Sequence, residues 1–163
     1  YFTEAIVGKA KAIRTDYQPT EDDNVTIKGV AGDTYAMGFL GYAYYEENKD
    51  KVKAVAIDHG KGCVLPSRET VLDGTYQPLS RPLFIYVNVK SLDRPEVQAF
   101  VDFYLSPAAR RAIRSTGYVE LPSEAYRIGQ ELVKRRKAGT FFMELPAGTP
   151  LSKFIQELDK ELR

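Results

Sequence analysis

Apolar Phe2 and Ile6 lie one turn apart and Gly8 follows them, so residues 1–8 predict a short helix with no capping side chain in front of it. Residues 9–24 are polar and loop-like. They close on Asp22-Asp23-Asn24, whose side chains can accept from the orphan N–H groups of a helix start. A short helix is expected from there to Gly29–Gly32, with Asp33 or Thr34 placed to cap a further turn. Residues 39–45 and 52–57 read as strands joined by the polar stretch 46–51. Pro66-Ser67 opens a helix that Gly74 closes. The run Leu83-Phe84-Ile85-Tyr86-Val87 has no polar face, which predicts a strand buried on both sides in a mostly parallel sheet.

Beyond Asn88 the period changes from two to about 3.6. Val97, Phe100, Val101, Tyr104 and Leu105 mark one helical face. Ser106-Pro107 starts a second helix, which Gly117 ends. Ala125, Ile128, Leu132 and Val133 form a third stripe, stopped at Gly139. Leu151, Phe154, Ile155, Leu158 and Leu162 form a last one behind Thr149-Pro150. The pattern predicts an α/β fold with a helical C-terminal part and a seam near residues 88–95: an α/β portion over 1–88 and a helical portion over 89–163.

Composition narrows the functional classes. The 163 residues carry a net charge of +1, so no global field draws the chain to nucleic acid or anionic lipid. A single cysteine, Cys63, excludes an intramolecular disulfide. No stretch approaches the ~20 apolar residues of a membrane span. His59 and Cys63 stand four apart in DHGKGC, but the chain has no second His or Cys to complete a metal site or a catalytic pair, and an incidental loop is the favoured reading. Glu21-Asp22-Asp23 lacks the alternating oxygen ligands of a calcium loop and suits a helix start better. The basic clusters Arg110-Arg111-Arg114 and 134–137 fall near helix C-termini, where cations favour the macrodipole. Arg14 and Arg81 have the chemistry to hold an anion, yet a salt bridge is the commoner use. There is no phosphate-cradling glycine loop of the Walker type and no nucleophile elbow.

The segments YFTEAI, RTDY, EDDN, GVAGDTYAMGFLGYAYYEENKDKVKAVAID and LSRPLFIYVN, closed by PEVQAFVDFYL, GYVELP and GTFF, resemble the PstS-like phosphate-binding proteins of bacterial ABC transporters. The resemblance covers residues 1 to about 142 in order; the tail 143–163 departs from it. It implies part of a class II periplasmic-binding-protein fold, in which two α/β lobes close on a dehydrated phosphate and present it to membrane permease subunits. It also implies an extracytoplasmic location, no enzymatic activity and no cofactor. Helix N-termini and hydroxyl groups grip the anion in such proteins, as the physics of anion sites requires.

By the same resemblance the main anion-binding turn lies upstream of Tyr1, in no position of this sequence, and residues 89–163 return towards the first lobe. Within the chain, Gly32, Asp33 and Thr34 are then the residues expected to face the cleft. The tyrosines that follow them are expected to be scaffold, apolar in body and wet at the tip. Helices without their sheet need other cover, so a homo-oligomer is expected. Two rival readings are a ligand-free docking module built on a binding-protein lobe, and a small enzyme resting on His59 and Cys63.

Overall fold

The computed structural model describes residues 1–139 and 145–163. The threonine and phenylalanines of the GTFF motif and the first two residues of the tail, 140–144, lie outside the described residues. Helix α1 spans Phe2–Val7 and ends at Gly8, whose φ of 77° lets its N–H bond back to the Glu4 carbonyl. Helix α2, Asp23–Gly32, starts where the Asp22 side chain accepts from the Asn24 N–H at 2.9 Å. Its one buried residue is Ile27.

The next segment departs from the expected strand over 39–45. Residues 36–41 carry no regular secondary structure, and at Tyr42 the chain turns into helix α3, Tyr42–Glu47. The N–H groups of Tyr44 and Tyr45 both reach the Gly41 carbonyl, at 3.1 and 3.3 Å. Local backbone bonding therefore overrides the β preference of the tyrosines. The expected strand over 52–57 is likewise reduced to its end. Strand β1, Ile57–Asp58, pairs antiparallel with β2, Cys63–Val64, in register Ile57 to Val64. This two-stranded ladder is the one sheet among the described residues, so the mostly parallel sheet is not formed within them.

Helix α4, Arg68–Leu72, carries a full capping box: the Thr70 N–H donates to Ser67 Oγ, and the Ser67 N–H donates to Thr70 Oγ1. The run 83–87 corrects the expectation of a doubly buried strand. It carries no regular secondary structure, and Leu83 is 58% exposed and Tyr86 76%. A strand is held by hydrogen bonds to a neighbour, and no backbone hydrogen bond joins Leu83, Ile85, Tyr86 or Val87 to another described residue.

The seam folds as a 3-10 helix, Val89–Asp93, that runs into α5, Pro95–Tyr104. Helices α6, Pro107–Ser115, and α7, Ser123–Lys134, follow, and α8, Leu151–Lys160, closes the chain. The best-packed core lies here: Leu92, Val101, Ala109, Ala125, Tyr126 and Ile128 are buried. The α5 stripe is narrower than its sequence pattern, because Phe100 stays outside, its ring 6.0 Å from that of Tyr104. The tail helix α8 lies along α7. Lys137 pairs with Glu161 at 3.4 Å, and the Arg135 guanidinium donates to the Leu162 carbonyl.

Candidate functional site

The GDTY turn is built by the end of α2. Gly32 is the last helical residue, and the Asp33 N–H bonds back to the Val30 carbonyl. The Asp33 carboxylate then folds over the turn and accepts from the Tyr35 N–H at 2.8 Å. Gly32, Asp33 and Thr34 are thus neighbours on one exposed corner. The corner is at a helix C-terminus, where backbone carbonyls carry partial negative charge, and Asp33 adds a full one. Its ready donor to an anion is the Thr34 hydroxyl.

An added Cβ on Gly38 would lie 2.8 Å from Thr26 Cγ2 and 3.0 Å from Val30 Cγ2, so the backbone at this point sits directly on α2. Tyr35, Met37 and Phe39 are exposed, Tyr35 at 96% and Met37 at 81%. Phe39 stacks on the Phe2 ring of α1, with centroids 4.3 Å apart and planes 7° from parallel. Glycine at 38 is therefore a packing requirement that brings the backbone against a helix.

A second cluster joins the two ends of the chain. The Tyr1 hydroxyl donates to the Pro78 carbonyl at 2.8 Å and accepts from the Gly148 N–H at 3.1 Å. The Arg81 guanidinium stands 5.3 Å above the Tyr1 ring. Burial raises the Tyr1 phenol above its ordinary range. Beside Pro78, Gln77 is buried with neither atom of its side-chain amide hydrogen-bonded. Gly148, with φ of 82°, leaves no room for a side chain, since a Cβ there would meet Pro78 Cβ at 2.7 Å. Sequence reasoning missed the roles of Tyr1, Gln77 and Gly148, which are neighbours only across the whole length of the chain. Arg81 was weighed as an anion holder and is found on a ring.

The remaining candidates are spread apart. Arg14 is held by Asp16 in an exposed bidentate pair, at 2.8 and 2.6 Å. His59 and Cys63 belong to the β1–β2 hairpin, where the Asp58 carboxylate accepts from the N–H groups of Gly60 and Gly62. Both side chains are exposed, and no metal-binding cluster occurs among the described residues. Of the basic helices, Arg110 lies over the Tyr126 ring at 4.5 Å and donates to Ser123 Oγ. Arg114 pairs with Glu120, and Arg136 pairs with Asp93 at 2.7 Å. These cations hold helices together. A groove between α3 and the 52–54 segment is rimmed by Lys49, Lys51 and Lys53, but Lys49 is already bound to Glu46 and Lys51 to Asn48.

No family model matches the chain. It is 49% identical over 159 residues to protein SphX of Synechocystis, a match that takes in 94% of this chain and 47% of SphX. It is 41% identical over 108 residues to the phosphate-binding protein PstS of Staphylococcus haemolyticus, covering 65% of this chain and 34% of PstS. Among solved structures, a possible phosphate binding protein from Planctomyces limnophilus superimposes with a TM-score of 0.64 at 41% identity, over 84% of this chain and 49% of that one. The chain spans about half the length of the SphX relatives it matches. Identity at this level, carried in order along the chain and repeated in the fold, makes it a PstS-like sequence, homologous to part of the SphX and PstS phosphate-binding proteins.

Proposed function

We propose that the chain serves phosphate capture, as a portion of a solute-binding protein that closes on an oxyanion outside the cytoplasm and delivers it to the permease of an ABC importer. The observation that supports this is the 41% identity to a phosphate-binding protein, together with the structural match to a second protein of that description. On this reading the work is binding, with no covalent chemistry. His59 and Cys63, the candidates for catalysis, lie exposed on a hairpin whose aspartate is engaged by backbone amides.

The strongest grip on the anion then comes from residues outside this chain. Asp33 is an acceptor at the negative end of α2 and opposes an anion, so the Gly32-Asp33-Thr34 corner lines the cleft and contributes at most the Thr34 hydroxyl. Two calorimetric titrations with inorganic phosphate test the reading. The chain by itself is expected to bind no tighter than about millimolar. Placed in the S. haemolyticus protein in exchange for the matching 108-residue stretch, it is expected to keep phosphate affinity within about tenfold of the parent, or ~1.4 kcal/mol. A chimera that folds and no longer binds phosphate would rule the proposal out.

A further inference from the structure

Tyr1 and Gly148 stand 147 positions apart and are joined by a hydrogen bond. The Tyr1 hydroxyl accepts from the Gly148 N–H at 3.1 Å and donates to the Pro78 carbonyl at 2.8 Å, so three distant segments meet at one oxygen. Tyr1 is also the residue that precedes α1, and its carbonyl accepts from the Ala5 N–H. Whatever holds its ring therefore holds the start of that helix. The other side of the junction has little slack. Thr149 is buried, and its N–H and its hydroxyl both donate to the Pro146 carbonyl. Pro150, with φ of −61°, then leads directly into α8.

We infer that residues 145–163 are a strap that couples α1 and the 77–81 segment to α7. One end is the turn at Gly148, pinned between Tyr1 and Pro78. The other is α8, whose Ile155 lines a cleft with Ile128 of α7 and whose Asp159 and Glu161 pair with Arg127 and Lys137. Between the two ends the Phe154 ring lies 6.1 Å from that of Phe84, so α8 touches residues from both sides of the 88–95 seam. Exposed ion pairs add little each, so the apolar contacts of α8 carry the coupling. Moving α1 relative to α7 then means breaking the Tyr1 junction or lifting α8 off its seat. In a protein that closes on an anion, α1, 77–81, α7 and α8 would travel as one body, and the seam would not divide the moving parts. That consequence rests on the proposed phosphate capture; the coupling does not, and it is measured without phosphate.

Amide hydrogen exchange on the 163-residue chain, followed by mass spectrometry, tests the strap. Tyr1→Phe deletes the hydroxyl and keeps the ring. It is expected to speed exchange about 3- to 10-fold in α8 as well as in α1, as the loss of a hydrogen-bonded junction allows. Ile155→Ala loosens the other end and is expected to speed exchange in α1 as well as in α8. The β1–β2 hairpin and α5 are expected to keep their rates in both variants, which separates local release from loss of the fold. Rates in α8 that ignore Tyr1→Phe, or rates in α1 that ignore Ile155→Ala, overturn the inference. So does a quickening spread evenly over the whole chain.

Discussion

At Gly38 a single methyl group decides whether the chain can pass over α2, because Thr26 and Val30 leave it 2.8 and 3.0 Å. Both neighbours are β-branched and stiff at χ1, so neither can swing aside freely. Gly38→Ala is expected to destabilise the chain by about 1–3 kcal/mol, read as a lower urea midpoint with an unchanged slope. At Gly148 and Gly117 the constraint is double: a φ of 82° with Pro78 at 2.7 Å, and a φ of 77° with Ala43 of α3 at 3.3 Å. Glycines at the ends of α1 and α6 stood out in the sequence because turn chemistry is local. The glycine at 38 did not stand out, since Thr26 and Val30 carry no mark of what will cross them.

The elements of the second half share a core that the first half lacks. Ile128, on α7, has no accessible surface, and Ala125 and Tyr126 are buried beside it. Ile128→Ala removes three carbons from a packed site and is expected to cost about 2–5 kcal/mol, seen as a fall in the thermal midpoint. The tail helix α8 is held to α7 by apolar packing and by exposed ion pairs such as Arg127 with Asp159 at 3.8 Å, which add little individually. Apart from α3, which was expected as a strand and has no side-chain cap, the α-helices were legible in the sequence because their signals, caps and a 3.6-residue stripe, lie within a dozen residues. Strands were not. The 39–45 and 83–87 segments look like strands by composition, but a strand is completed by a distant partner, and among the described residues that partner is found only for β1 and β2.

For the whole molecule, charge pairing lies almost entirely on the surface, and its effect is felt in acid. Arg14 holds Asp16 below its ordinary range; Lys49, then Tyr42, does so for Glu46; Thr75 for Asp73; Arg127 for Glu124. A carboxylate whose folded-state pKa is lowered contributes stability above its unfolded value, and that contribution is lost as pH falls through the folded value. Urea midpoints are therefore expected to be flat from neutral pH down to about 5 and to decline below about 4, where unfolded carboxyl groups take up protons first. The decline should shrink in high salt, because these pairs are exposed to solvent and screened. A midpoint that held constant to pH 3 would show that the pairs contribute nothing measurable.

What the residues determined by themselves was local: the cap at Asp22, the capping box at Ser67, proline-started helices at 95 and 107, and the glycine stops that close α1 and α6. Each rests on hydrogen bonds or steric limits within a few positions, and the motif string by which the chain resembles part of the phosphate-binding proteins is written in the same local terms. Tertiary structure decided the rest. It set Tyr1 against Pro78 and Gly148, laid α8 along α7, and left 83–87 without a ladder among the described residues. Those outcomes depend on which surfaces meet across long stretches of chain. Hydrophobic burial is non-directional, so composition says that a face must be covered and leaves open what covers it.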